Sequence, residues 1–280
     1  MNKHPLCPVT PEDVVHFSED GAICIRKVFD AEWCARMNLA VERLLSNPGK
    51  RAREAVKGGD PGRFHMNVFM WRWDPDFRDF ALNSPLPELA AQLLDTNAVS
   101  LFYDQAFIKE PGTTAVTDWH QDLPFWPAKG NDIISLWVAL TPVNVEASGV
   151  EYVAGSHKWG KFYRAVTPDK DARFSSNEYE ECPDFSKLKG DPKYRFVSWS
   201  CDAGDVICHH PLTVHGATGN ASPNRRAAIS VRYAGRDARW DPRDSVMKIE
   251  GDPETKLQAG DPLVLDGVFP IAWRRETASA

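Results

Sequence analysis

The sequence predicts a mainly β protein, a sandwich or barrel of short strands with helices flanking it. Apolar runs at 99–109, 132–141, 150–153, 205–209 and 226–234 follow one another without alternating helices, which argues against a parallel α/β sheet. Turn signals separate them, at Glu110-Pro111-Gly112, Thr141-Pro142 and Ala203-Gly204-Asp205. The first third instead mixes helix and strand.

In that first third, Thr10-Pro11-Glu12-Asp13 reads as a helix start, with Thr10 as cap and Pro11 in the first turn. Residues 21–26 (GAICIR) read as a short strand. Asp30 then caps a helix whose Trp33, Met37, Val41, Leu44 and Leu45 recur at 3.6-residue spacing, and Asn47-Pro48-Gly49 stops it. Ser84-Pro85 opens another helix with Leu86, Leu89, Ala90, Leu93 and Leu94 as its buried stripe. The charged stretch 160–198 reads as a long rim insertion. The tail 236–280 keeps Trp240, Val264, Leu265, Phe269 and Trp273 and is expected to pack back on the body.

Composition narrows the function. A chain of 280 residues that is 42% hydrophobic and 26% charged can bury a sizeable core without disulfides or structural metal. A net charge of -6 argues against nucleic acid, whose binders carry basic stripes. No run approaches the roughly 20 apolar residues of a membrane helix, and the N-terminal stretch has no secretory core. The six cysteines form no C-x-x-C pair, so reduced thiols and a cytoplasmic location are expected.

The strongest chemical signal is Trp119-His120-Gln121-Asp122. In an extended segment residues i and i+2 share a face, so His120 and Asp122 can reach one ion. A short H-x-D is weak by itself, and a surface hydrogen-bonded pair explains it equally. With a second imidazole from a later strand it becomes the facial triad of non-haem iron(II) oxygenases, which leaves coordination positions open. Among eight histidines, His4 and His16 read as surface groups, His65 as ambiguous, His157 as structural, and His209 and His210 as a strand end. His215 is followed by Gly216, which lets the backbone come close to a metal site, and by an arginine pair eleven residues on.

Such an oxygenase must hold the distal carboxylate of 2-oxoglutarate, a task suited to the planar guanidinium fork. Along 226–234, Arg226, Ala228, Ser230 and Arg232 share one face, and Ala227, Ile229, Val231 and Tyr233 the other. An inward arginine needs a buried anion. The pattern equally allows both arginines to face solvent.

Together, His120-Gln121-Asp122, His215-Gly216 with Asn220, and Arg225-Arg226-Ala227-Ala228-Ile229-Ser230 resemble the phytanoyl-CoA dioxygenase family. Asp20-Gly21-Ala22 and Gly155-Ser156-His157 are similar to it as well, so the likeness runs from about residue 10 to 235. It implies a single domain over 1–280: a helical N-terminal part (about 10–95), a double-stranded β-helix or jelly roll (about 99–235) and a C-terminal extension (236–280). It implies His120, Asp122 and His215 as iron(II) ligands and Arg226 as the 2-oxoglutarate anchor. Trp137 matches a position that contacts the cosubstrate, and Asn67 and Gln105 are weaker candidates for the same pocket. Ala217 departs from relatives that carry a serine there.

The activity so implied is an iron(II)- and 2-oxoglutarate-dependent dioxygenase. It uses O2 to hydroxylate or otherwise oxidise an unactivated C–H bond of a small organic metabolite, releasing succinate and CO2. Asp122 favours this over halogenation, which needs a vacant ligand position for halide. Acyl-CoA is the alternative substrate, with Lys158, Lys161 and Arg164 as a candidate patch for its phosphates. Phe125-Trp126-Pro127 suits an apolar substrate wall or plain core. A jelly-roll binding protein without turnover and a zinc hydrolase are the rival readings, and oligomeric state is not legible.

Overall fold

The computed structural model describes residues 1–56, 58–165 and 179–275. In chain order the elements are α1 (Pro11–Asp20), β1 (Ala22–Ile25), α2 (Ala31–Ser46), β2 (Arg53–Ala55), β3 (Phe64–Val68), α3 (Pro75–Asn83), α4 (Leu86–Leu93) and β4 (Ala98–Lys109). There follow β5 (Thr117–His120), β6 (Ala128–Lys129), β7 (Ile133–Ala139), the short α5 (Val145–Ser148), β8 (Val150–Val153) and β9 (Phe196–Ser198). The last strands are β10 (Val206–His209), β11 (His215–Ala217), β12 (Arg226–Ala234), β13 (Arg239–Trp240) and β14 (Ile271–Arg274).

The helix signals act as expected. Thr10 accepts from the Asp13 N–H while the Asp13 carboxylate accepts from the Thr10 N–H, a reciprocal capping box. Asp30 caps α2, which buries Trp33, Met37, Val41 and Leu44; Leu45 is only half-buried. Several elements, mostly short strands, have no counterpart in the sequence reading, and two of them matter here. One is α3, although Asp74-Pro75 repeats the cap-then-proline signal of α1. The other is β3, which buries His65 and sets it against the exposed Glu54 of β2.

A large antiparallel sheet runs in the order β1-β10-β7-β12-β4-β3-β2, with β14 also pairing with β4. A smaller one runs β5-β11-β8-β9. Helices α2, α3 and α4 cover the outer face of the large sheet, burying Ile229, Val231 and Tyr233 beneath Met37, Phe80 and Leu89. The inner face packs against the small sheet through Trp137, Ile207 and Ala228 on one side and Val150 and Tyr152 on the other. This is the jelly roll, and β12 is buried along its whole length.

The tail packs back on the body as expected save at one residue, and the reading of the rim insertion is corrected. In the tail, Trp240 and Phe269 are buried and β14 joins the large sheet, but Val264 is exposed. Of the supposed rim insertion, residues 166–178 lie outside the described residues, while 196–198 form β9 on β8 and Phe185 packs with Tyr163 and Val153. Among the described residues no helix is long and apolar enough to cross a membrane.

Candidate metal and cosubstrate site

His120 ends β5 and His215 begins β11, where the two are Cα partners in the antiparallel ladder. Their rings lie 4.2 Å apart, centroid to centroid. Asp122 reaches them by a route that differs from simple alternation. The strand stops at His120, and Asp122 adopts helical angles at the head of a 3-10 turn. The N–H groups of Asp122 and Leu123 both donate to the Pro211 carbonyl, at 2.8 and 3.0 Å, which pins that turn between the sheets. Asp122 Oδ1 lies 3.5 Å from His120 Nε2 and 4.0 Å from His215 Nε2. One ligand atom from each of the three residues falls within 4.8 Å of the others.

The donor set fits a divalent metal. His120 Nδ1 lies 2.7 Å from the Asp118 carbonyl and His215 Nδ1 2.9 Å from that of Thr213. Each Nδ1–H therefore donates backward, leaving the Nε2 lone pair toward the shared centre. Burial, with the His120 and His209 imidazoles beside it, pushes the His215 pKa well below the usual range and keeps the ring neutral. Burial would raise the Asp122 carboxyl, but His120, His209 and Arg232 outweigh it and hold the group well below the usual carboxylate range. Two donors each about 2 Å from one ion lie about 3 Å apart when adjacent, so small rotations close the cluster. Gly216 acts differently from the expected close turn. It lies within β11, where a Cβ would press on the Trp119 ring at 3.0 Å and the Thr117 carbonyl at 3.2 Å.

The cluster opens into a cavity of about 420 Å³ lined by both sheets. Arg226 points into it, 2% exposed, with its guanidinium carbon 5.5 Å from the centre of the Trp137 ring. Its Nε has no hydrogen-bond partner, and burial lowers its pKa to about 10. A buried guanidinium in this state is a site for an anion. Arg225 points the other way, bonded to Glu110 at 2.9 Å and to Glu42. Gln105 lines the cavity beside Ser230. Asn67 also lines it, but its amide donates to the Pro48 carbonyl at 2.5 Å and accepts from the Val68 N–H, so it fastens Pro48 to β3. Phe125 stands edge-on to His120, and Trp126 donates to the Tyr103 hydroxyl. Away from this cavity, Lys161 is paired with Glu180 and His157 is bonded to the Ser18 carbonyl.

The sequence reading missed His209, Arg232 and Ser135, all buried around Asp122. Alternation along 226–234 put Arg232 on the same face as Arg226, but only the pairing of β10, β7 and β12 brings it together with Ser135 and His209. It also missed that Cys24 and Cys201 place their sulfurs 4.0 Å apart near Asp205, whose carboxylate is already taken by Arg26 and the N–H groups of Lys27 and Asp202.

A jelly roll enclosing two imidazoles, one carboxylate and an unsatisfied arginine defines a class of metal-dependent oxidising enzymes. The chain belongs to the phytanoyl-CoA dioxygenase (PhyH) family, whose model matches residues 17–228. It is similar to the multifunctional dioxygenase prhA of Penicillium brasilianum, 25% identical over 85% of this chain and 77% of that one. The ectoine dioxygenase of Stutzerimonas stutzeri is 23% identical over 81% of this chain and 77% of its own length. Among solved structures, the non-heme alpha ketoglutarate dependent carbocyclase SnoK from nogalamycin biosynthesis superposes with a TM-score of 0.72. That pair is 27% identical over 94% of this chain and 96% of the other.

Proposed function

We propose that this chain is an iron(II)- and 2-oxoglutarate-dependent dioxygenase that oxidises an unactivated C–H bond of a small organic metabolite. One observation carries the reading: a metal-ready cluster and an unpaired buried arginine open into the same cavity. His120, Asp122 and His215 would hold iron, and Arg226 would clamp the distal carboxylate of 2-oxoglutarate with Trp137 packed against its guanidinium. The chemistry supplied there by iron(II), 2-oxoglutarate and O2 is oxidative decarboxylation to succinate and CO2, coupled to substrate oxidation.

The protein's share is placement and exclusion of water. Three protein ligands leave half of a six-coordinate ion for cosubstrate and oxygen. Phe125, Trp126 and Tyr103 form an apolar wall beside the cluster. At the exposed end of the cavity stand Lys50, Arg51, Arg53 and Lys248. Arg51 there is paired with Glu250 at 3.2 Å, and Asp118 also lines the cavity. The Lys158–Arg164 segment considered for acyl-CoA phosphates does not line the cavity. Met247 and Lys248 belong to the C-terminal extension, which supports the whole chain acting as one catalytic domain.

The test is anaerobic addition of iron(II) and 2-oxoglutarate, then turnover with a panel of small organic acids, neutral analogues and acyl-CoA thioesters. A weak visible charge-transfer band and substrate-dependent succinate release are expected. Metal binding without either signal would favour a non-catalytic binding protein, and hydrolysis with zinc would favour the hydrolase reading.

A further inference from the structure

We propose that His209, Ser135 and Arg232 form a clasp that positions Asp122, engaging its Oδ2 so that only Oδ1 is offered to the metal. The three residues make one row across the large sheet. His209 on β10 is the Cα partner of Ser135 on β7, and Ser135 is the partner of Arg232 on β12. All three side chains are buried. Asp122 comes from the turn after β5, on the small-sheet side, and its carboxylate crosses the interior to meet them.

The two carboxylate oxygens have different neighbours. Oδ2 is 3.1 Å from the Ser135 hydroxyl, 3.3 Å from His209 Nε2 and 3.8 Å from an Arg232 amino nitrogen. The first two are hydrogen-bond donors; the third is a charge at ion-pair range. Oδ1 instead faces the Nε2 atoms of His120 and His215, at 3.5 and 4.0 Å. An ionised carboxylate only accepts, so the 3.3 Å contact with Oδ2 requires the His209 ring proton on Nε2. Tyr152 has a hydroxyl 3.4 Å from His209 Nδ1. Nδ1 is then left as an acceptor, which the Tyr152 hydroxyl can fill.

A carboxylate free to chelate through both oxygens would take one position more on a six-coordinate ion. Holding Oδ2 on the sheet limits Asp122 to one, and keeps three positions for a chelating 2-oxo acid and oxygen. Partners of this kind, bonded to a ligand and not to the metal, typically change metal affinity by about 10- to 100-fold when removed.

This inference rests on the proposed iron site, and the experiment separates the two. Cobalt(II) is titrated calorimetrically into wild type, Ser135→Ala, His209→Phe and His209→Gln. Melting of each metal-free protein is recorded alongside. In the clasp, Ser135→Ala and His209→Phe weaken cobalt binding about 10- to 100-fold while their metal-free melting temperatures stay near wild type. His209→Gln, which keeps an N–H donor, recovers most of the loss. Wild-type affinity in both deletions overturns the clasp. So does a loss that His209→Gln fails to recover, or one matched by a collapse of the metal-free melting temperature, since either assigns the effect to packing. A wild-type protein that binds no cobalt overturns the metal site itself, and the clasp with it.

Discussion

His215 and His120 are direct cross-strand partners, the first residue of β11 against the last of β5, with ring centroids 4.2 Å apart. The hydrogen-bond ladder of the small sheet therefore places two metal-type ligands side by side before any metal arrives. Such a preformed pair gives sharp expectations for what single substitutions do.

Replacing His215 or Asp122 by alanine removes one of three converging donors. Loss of stoichiometric iron(II) binding and of succinate release is the expected outcome, read by metal titration and by succinate assay. Full activity in either variant would contradict the assignment.

Arg225 and Arg226 are adjacent in sequence but face opposite sides of the sheet. Arg226→Ala is expected to raise the KM for 2-oxoglutarate by about tenfold or more, since a charge-assisted hydrogen bond is worth about 1.5–3 kcal/mol. Arg225→Ala breaks a surface network with Glu42 and Glu110 and should cost about 1 kcal/mol or less, leaving that KM in place. Steady-state kinetics on the pair distinguishes them.

Asp104 is fully buried on β4, and burial raises its carboxyl to about 7. Its folded pKa thus exceeds the unfolded value near 3.9. Between these values the native state holds the proton and the unfolded state has lost it. Stability contributed by the protonated form is therefore full below about pH 4 and falls as pH rises toward 7. Asp104→Asn, which still accepts from the Trp71 N–H, should flatten that part of the profile. Denaturant midpoints measured at several pH values would show it. An unchanged slope would mean that Asp104 does not titrate in this range.

Gly216 follows His215 with the Trp119 ring and the Thr117 carbonyl packed close over it. A methyl group there demands a shift of a few tenths of an ångström, and Gly216→Ala is expected to destabilise by about 1–3 kcal/mol. Because β11 carries His215, metal affinity should fall as well. Thermal melting with and without cobalt(II) checks both effects.

Much of the fold was legible because its signals are local. Caps, proline positions and 3.6-residue stripes placed α1, α2 and α4, and alternation between turn residues placed β4, β7, β8, β10 and β12. The shorter β3, β5 and β9 were harder. Strands of three to five residues carry little periodicity, and pairing with neighbours supplies most of their stability. His120, Asp122 and His215 could be named because their residue types and order form a recognisable motif. Ser135, His209 and Arg232 could not, since a serine, a strand-end histidine and a second arginine become a group only across paired strands.

The sequence by itself determined α1, α2, α4 and the longer strands, the motif formed by His120, Asp122 and His215, and that one face of 226–234 bears two arginines. It left open whether that face met water or a cavity. Only the tertiary structure decided this, by burying both faces of β12 at once, the aliphatic one under helices and the arginine one between the sheets. The reason is physical. Alternation along a strand records that its two faces differ, whereas the identity of what covers each face depends on contacts between residues far apart in the chain, such as Tyr233 with Ala81, 152 positions away.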